Sequence, residues 1–289
     1  MWSNPNRAAG PIGAIDGVVR QLASTHVPSL DGRMSPLGKA VFLLVAGILG
    51  GTATSAGAIA TLISYPALLA VGVPAVAANV TNSVAVVGTG LASTLASGPE
   101  LQGTKLRLLG WSLFTTAGAA TGAALLLCTP DDVFTWVVPF LVAAAALILL
   151  AQPRISAWRT AQRGNAPEPM LPYGLFLVGV YNGYFGAGSG IMLLALLMIT
   201  VESRLIRANA LKNALLGISD VVAAIAFIAF GPIDWSSALP LGIGFLAGGF
   251  IGPALARRAP AGVLRVAIAG VGLVLAVGLF VVAAGGNQR

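Results

Sequence analysis

The chain has 289 residues, of which 57% are apolar and 9% are charged, and its mean hydropathy is +0.90. A soluble globular protein carries roughly 25% charged residues, so this composition excludes a water-facing surface over most of the chain. The net charge of +7 does not indicate nucleic-acid binding, because the basic residues form short clusters beside apolar runs, as topology determinants do. The sequence therefore predicts an all-α integral membrane protein.

The first 36 residues are predicted to be an N-terminal tail. They contain no continuous apolar segment after a basic start, so a cleaved signal peptide is not expected. Residues 14–22 fit a short amphipathic helix on the membrane surface, and a disordered tail explains them equally well.

Six apolar runs then have the length of about 20 residues that spans the roughly 30 Å hydrocarbon core as a helix. They are residues 75–97, 106–128, 133–152, 208–230, 237–256 and 261–284. Two longer stretches, 37–72 and 172–201, are each interrupted by small polar residues, at Thr52 to Gly57 and at Gly186 to Gly190.

An internal repeat divides the chain into two halves. A shift of 131 positions aligns Ser55-Ala56-Gly57-Ala58 with Gly186-Ala187-Gly188-Ser189, Thr81-Asn82 with Lys212-Asn213, and Thr89 with Asp220. With a small drift, the pair Gly118 and Gly122 matches Gly248 and Gly252. We therefore predict a first repeat over 37–152, a cytoplasmic linker over 153–171, a second repeat over 172–284 and a C-terminal tail over 285–289.

The charges of equivalent loops change sign between the halves. The first half carries Lys105 and Arg107 and then two aspartates, whereas the second half carries Asp234 and then Arg257, Arg258 and Arg265. By the positive-inside rule, equivalent loops lie on opposite sides of the membrane, which predicts two inverted-topology repeats.

Inversion requires an odd number of crossings in each half. It follows if each long stretch is a re-entrant hairpin, so that each repeat is a broken helix pair plus three transmembrane helices. This topology places both termini outside and leaves Arg33 and Lys39 on the unfavourable side. The alternative is eight spanning helices.

The two breaks are candidate functional sites, because non-helical backbone survives at membrane depth only where it is buried in protein or lines a wet cavity. Each break precedes a half-helix whose free N–H groups and positive dipole end attract anions. The plainer alternative is that the glycines only permit close packing.

The span after each break carries polar residues on one face. Asn82 and Thr89 are seven residues apart in the first copy, as are Asn213 and Asp220 in the second. Their role could also be limited to cross-linking helices by hydrogen bonds. Lys212 and Asp220 are the ionisable residues well inside the full spans. Lys212 fits either anion binding or snorkelling to the interface, and Asp220 fits either proton coupling or gating, or an ion pair with Lys212.

Other residue types exclude several classes of function. One cysteine, Cys128, one histidine, His26, and no paired carboxylates leave neither a metal site nor acid–base catalysis, so we expect no enzyme and no cofactor. Gly244, Gly248 and Gly252 form small-xxx-small steps that let another helix approach closely.

Three segments resemble the TauE/SafE family of sulfite and sulfonate exporters: Gly72 to Asn79, Gly183 to Gly190, and Gly242 to Arg258. The resemblance covers about residues 38–284. It implies transport of small sulfur-containing oxyanions, such as sulfite, sulfoacetate or related organosulfonates, across the bacterial cytoplasmic membrane, usually as export. Ser55-Ala56-Gly57-Ala58 is poorer in glycine than the family pattern.

The sequence thus predicts a multi-pass secondary transporter with one central anion site in the bilayer. The predicted binding residues are Ser55, Gly57, Asn82, Gly188, Ser189, Lys212 and Asn213. Asp220 is predicted to couple transport to protons or to gate it. A passive anion channel and an uptake permease for another small anion are the alternatives, and the sequence leaves open whether the chain forms a homo-oligomer.

Overall fold

The computed structural model describes residues 34–55, 60–96, 99–161, 170–202, 204–256 and 261–286. This part of the chain forms ten α-helices, which we label α1 (Pro36–Ser55), α2 (Thr61–Ala70), α3 (Ala75–Ala96), α4 (Lys105–Cys128), α5 (Asp131–Ala161), α6 (Met170–Tyr184), α7 (Ser189–Thr200), α8 (Leu205–Phe230), α9 (Trp235–Ala256) and α10 (Ala261–Gly286). A 3₁₀-helix, Pro99–Leu101, connects α3 to α4. The all-α membrane fold is confirmed.

Five of these helices contain described stretches that are long and apolar enough to cross a membrane: Pro36–Thr54, Ala75–Leu95, Leu106–Cys128, Asp131–Ile155 and Leu205–Phe230. Each predicted span corresponds to one helix. The largest difference is in α5, which passes through Pro153 and ends at Ala161, inside the segment 153–171 that was predicted to be the linker. A proline is tolerated in a membrane helix because neighbouring groups satisfy the carbonyl that it leaves free.

The first predicted break is wrong at its start, because α1 continues through Thr52 to Ser55. The hydroxyl of Thr54 donates to the Gly50 carbonyl oxygen at 3.0 Å, so this side chain bonds within its own helix instead of ending it. Gly57 lies outside the described residues.

The second break agrees with the sequence. Helix α6 ends at Tyr184 and α7 begins at Ser189. Gly186 and Gly188 have φ angles of 79° and 89° in the left-handed region, which glycine adopts without steric cost.

Each broken stretch folds back on itself. One cavity contacts both Pro36 at the start of α1 and Val71 just after α2, so the first stretch returns to the end of the molecule where it began. In the second stretch, Leu171 and Leu175 of α6 pack in one apolar cluster with Leu197 of α7. Both stretches are therefore helical hairpins.

The helices of one half pack against helices of the other half. Helix α1 packs along α9, and the equivalent helix α6 packs along α4, while α3 packs on its own equivalent α8, and α5 on α10. A twofold rotation that exchanges the halves reproduces this set of pairs.

The equivalent helices α3 and α8 run antiparallel. Gly90 lies against Gly217, and Val80, closer to the start of α3, lies against Gly231 after the end of α8. A twofold axis that relates antiparallel helices runs across the helices. This packing supports the inverted repeat, whose orientation in a membrane stays a prediction.

The close approach predicted for Gly244 and Gly248 is confirmed. A Cβ atom on Gly244 would lie 2.3 Å from the Leu44 carbonyl oxygen, and one on Gly248 would lie 2.3 Å from that of Ile48. The backbones of α1 and α9 are therefore in direct contact, as small residues allow in membranes.

In the other half, Gly118 and Gly122 make the same contact with α6, at 2.2 Å from the Phe176 carbonyl oxygen and 2.1 Å from that of Val180. Their spatial counterparts are therefore Gly244 and Gly248, rather than the predicted Gly248 and Gly252. The connection between α3 and α4 contains the additional 3₁₀-helix, which the connection between α8 and α9 lacks, and this shifts the alignment.

Candidate substrate-binding site

A cavity of about 150 Å³ lies where the two hairpins meet the crossing of α3 and α8. Ala60 and Thr61 bring the start of α2 to its wall, and Gly188, Ser189 and Gly190 bring the start of α7. The cavity therefore lies at the N-terminal ends of both half-helices, where helix dipoles favour negative charge.

The start of α7 presents one free backbone donor to this cavity. The N–H groups of Ser189 and Ile191 bond to the carbonyl oxygens of Gly186 and Gly188. Within the described part of the chain, the N–H group of Gly190 has no such acceptor. An orphan N–H group at a helix start is a ready donor to an anion.

Lys212 reaches the cavity from α8. Its side chain is only 8% exposed, so it does not snorkel to the protein surface. No acceptor or carboxylate among the described residues bonds to its ammonium group. Glu202 pairs instead with Arg207, at 3.6 Å, and neither residue lines the cavity. A buried cation without a protein partner is costly, which makes Lys212 a candidate ligand-binding residue.

Asp220 lies further along the same helix and lines the same cavity. Its Oδ1 atom accepts a hydrogen bond of 2.7 Å from the Asn182 side-chain amide. The ion pair with Lys212 that the sequence allowed is not formed in the described structure. Asp220 thus keeps a hydrogen-bonded carboxyl group in the cavity wall, separate from the cation.

Asn182 connects Asp220 to the helix start. Its Oδ1 atom accepts a hydrogen bond of 2.6 Å from the Ser189 hydroxyl group, which also lies 2.8 Å from the Gly186 carbonyl oxygen. Side chains of α8, α6 and α7 are therefore joined in one hydrogen-bonded chain.

The first repeat contributes Asn82 to the opposite wall. Its Oδ1 atom accepts a hydrogen bond of 2.5 Å from the Ser64 hydroxyl group, and its amide lies 3.5 Å from the Thr61 hydroxyl oxygen. These contacts bind α3 to α2 and orient Asn82 beside the cavity.

The structure brings most of the predicted site together. Six of the predicted residues line this one cavity: Asn82, Gly188, Ser189, Lys212, Asn213 and Asp220. Ser55 is the last residue of α1, and its side chain, like all of Gly57, lies outside the described part. Their binding roles stay predictions.

Some polar residues of the first repeat do cross-link helices. The Thr81 hydroxyl oxygen accepts a bond of 3.1 Å from the Asp234 backbone amide, and the Thr89 hydroxyl group donates to the Phe245 carbonyl oxygen at 3.1 Å. Of these two threonines, Thr89 also lines the cavity, as do both counterparts in the second repeat, Lys212 and Asp220.

Sequence reasoning missed Asn182. The signal was present, since it is an amide in an otherwise apolar helix, one turn before the glycine break. Thr61 and Asn209 were also not included and line the cavity.

A second cavity of about 560 Å³ lies at the end of the molecule formed by the start of α1 and the loops after α2 and α8. Partial burial raises the pKa of Asp234 in its wall, but hydrogen bonds from Ser236 and Ser237 outweigh it and hold the pKa below its usual range. The Asp234 carboxylate caps the N-terminus of α9. As a carboxylate it has no hydrogen to donate to a ligand.

Two related helical halves that enclose a polar cavity between broken helices are the architecture of a membrane transporter. The chain belongs to the sulfite exporter TauE/SafE family, whose model matches residues 40–279.

Similar proteins have the same general description. The chain is 28% identical over 240 residues to "Probable membrane transporter protein ORF9" of Sinorhizobium sp, which covers 82% of this chain and 91% of that protein. It is 27% identical over 232 residues to "Probable membrane transporter protein YfcA" of Escherichia coli K12, at 78% and 81% coverage. A "Probable membrane transporter protein" of Haemophilus influenzae is 27% identical over 201 residues, at 68% and 75% coverage. No solved structure matches the chain.

Proposed function

We propose that the protein is a secondary transporter that exports small sulfur-containing oxyanions, such as sulfite, sulfoacetate or a related organosulfonate, across the bacterial cytoplasmic membrane. The observation that carries the proposal is Lys212, whose buried ammonium group has no partner among the described residues and lies in a cavity lined by the N-terminal ends of two half-helices. Both features favour an anion at one central position.

The size and donors of the cavity fit a small anion. Its volume of about 150 Å³ is well below the roughly 300–1,000 Å³ of sites for drug-sized ligands. Beside Lys212, the side-chain amide of Asn213 faces the cavity without a hydrogen-bond partner in the described part of the chain. The ammonium group would pair with the negative charge of an oxyanion, and the neutral donors would bond to its oxygen atoms, most of which lie at one end of the molecule.

The proposed topology places the linker and the basic loops in the cytoplasm and the second cavity outside. The hairpin returns of both broken stretches and the antiparallel packing of α3 on α8 support it. Asp220, in the wall of the same cavity, is the proposed point of proton coupling.

The proposal is tested with purified protein in proteoliposomes loaded with labelled sulfite or sulfoacetate. We expect saturable flux that responds to a proton gradient and falls at least tenfold in Asn213→Ala, because a hydrogen bond to a charged group contributes about 1.5–3 kcal/mol. Thr121→Ala, which removes an exposed hydroxyl group bonded within α4, is the matched control.

Two outcomes contradict parts of the proposal. Flux that does not saturate and ignores the proton gradient identifies a passive channel. Flux no higher than that of empty vesicles, for every sulfur oxyanion tried, refutes the substrate class.

A further inference from the structure

We infer that Asn182 is a positioning residue that links protonation of Asp220 to anion binding at Ser189, by exchanging which of the two groups hydrogen-bonds to its side-chain oxygen. The inference rests on the proposed function and concerns how one site senses the other. Asn182 is not among the residues that the sequence pattern singled out.

The observed bonds define one state of this switch. An ionised carboxylate only accepts hydrogen bonds, so it must face the amide NH₂ of Asn182, as it does at 2.7 Å. The Asn182 Oδ1 atom then points the other way, where it accepts the Ser189 hydroxyl hydrogen at 2.6 Å. A hydroxyl group has one hydrogen, so in this state Ser189 cannot donate to an anion.

Protonation of Asp220 reverses the arrangement. A neutral carboxyl group can donate its own hydrogen, and the side chain already hydrogen-bonded to it is the amide of Asn182. Turning the amide brings Oδ1 to Asp220 and the NH₂ group to Ser189. The Ser189 hydroxyl oxygen then accepts from that NH₂ group, and its hydrogen is free to turn from the Gly186 carbonyl oxygen, 2.8 Å away, to an anion in the cavity.

The proton is the only atom that the protein gains or loses in this exchange. One proton enters at Asp220, one hydrogen bond reverses its direction, and one hydroxyl donor becomes available at the start of α7. The proton and the anion therefore bind best together, which is the coupling of a carrier that moves both in the same direction.

The surroundings leave Asn182 as the direct contact of Asp220. Gly90 of α3 faces the carboxyl group without a polar side chain, and no ion pair reaches it in the described structure. Among the described residues, Lys212, two turns away on α8, is the other ionisable residue that lines this cavity. The remaining ionisable residues on the elements packed against or adjoining α8 are Glu100, Lys105, Arg107, Cys128, Tyr173, Tyr181, Tyr184, Glu202, Arg204 and Arg207. None of those whose side chains the structure describes lines the cavity, and Tyr181 donates to the Ala187 carbonyl oxygen.

The test is equilibrium binding of labelled methanesulfonate, whose own charge does not change between acidic and alkaline buffer. We expect wild type to bind about tenfold more tightly in acid, since each freed donor to an anion changes affinity by about that factor. Asp220→Asn, which is neutral and supplies an NH₂ donor to Asn182, should bind tightly in both buffers.

Variants of Asn182 separate the switch from simple electrostatics. Asn182→Leu and Ser189→Ala should each lose the same part of the pH dependence, and the double variant should lose no more, because the two residues act in one chain. Asn209→Leu, which removes an amide from the same cavity without contacting Asp220 in the described structure, should keep the wild-type pH dependence. A wild-type pH dependence in Asn182→Leu, or additive losses in the double variant, would overturn the inference.

If no sulfonate binds, that result counts against the proposed function alone, and the switch is then tested by infrared spectroscopy. Titration of the protein should then shift the side-chain amide band of Asn182 together with protonation of Asp220, in wild type and in Ser189→Ala but not in Asp220→Asn. An Asn182 band that does not move refutes the switch, whether or not the transporter proposal holds.

Discussion

Replacing Lys212 with methionine separates a binding role from a structural one, because the two roles predict opposite effects on stability. The side chain is 8% exposed and its ammonium group has no protein partner in the described structure. If it held the fold through an ion pair, its removal would cost about 3–5 kcal/mol of stability. As an unpaired buried charge it instead costs desolvation energy, which methionine of similar length does not.

The magnitude for binding follows from the geometry of the cavity. A charge pair about 4 Å apart at an effective dielectric constant near 20 interacts with about 4 kcal/mol, and part of this is offset by the desolvation of the anion. A net loss of about 3 kcal/mol corresponds to roughly a hundredfold weaker anion binding. Lys212→Met should therefore bind sulfite or methanesulfonate about a hundredfold more weakly while its melting temperature is unchanged or higher.

The assay measures both quantities on one preparation: labelled-anion binding and the thermal unfolding midpoint in detergent, with Lys212→Arg as the control that keeps the charge. Arginine should retain most of the affinity, although its planar fork fits a site for an ammonium group less well. A variant Lys212→Met that unfolds at a clearly lower temperature, or that binds the anion as wild type does, would refute the reasoning.

Three further predictions follow from the packing. Gly122→Ala should destabilise the protein by about 1–3 kcal/mol, because its Cβ would lie 2.1 Å from the Val180 carbonyl oxygen. Gly110→Ala on the same helix is the control: its Cβ would meet open space, so this variant should be neutral or stabilising. Thermal unfolding compares the two variants. Tyr65→Phe should keep or raise the unfolding midpoint, since the buried Tyr65 hydroxyl group has no hydrogen-bond partner within the described ranges and its burial costs about 1–3 kcal/mol; a lower midpoint would contradict this. Gln102 and Pro232 lie in equivalent loops of the two halves. In a Cys128→Ser background, Gln102→Cys and Pro232→Cys should therefore react with a membrane-impermeant thiol reagent from opposite sides of the membrane. Reaction of both from the same side would exclude the inverted topology.

The broad fold was predictable because lipid imposes a simple rule on sequence. A helix must supply about 20 apolar residues to cross, so apolar runs mark the helices closely, and even α3 and α9 begin within a few residues of their predicted starts. Helix ends beyond the hydrocarbon core carry no such signal. That is why the extension of α5 past Pro153 could not be read from hydropathy.

The site was predictable where a residue type is costly in a membrane. Lys212 and Asp220 are expensive there, and both lie at the cavity. Asn182 was missed because an amide is cheap enough to be common as a helix cross-link, and only its position between Asp220 and Ser189 reveals more than that. Which polar residues face inward depends on helix rotation, which a sequence repeat does not fix.

The two halves share a backbone plan but divide its chemistry unequally. At one repeat position the first half has Thr81, which bonds to the loop before α9, and the second half has Lys212, which faces the cavity; at another, Thr89 bonds to α9 where Asp220 bonds to Asn182. In the proposed transporter, equivalent hairpins allow the site to open toward either side, but a single anion needs only one cation. Placing Lys212 and Asp220 in the second repeat is therefore compatible with a symmetric scaffold, while the first repeat holds its helices together with neutral hydroxyl groups that cost little in the membrane.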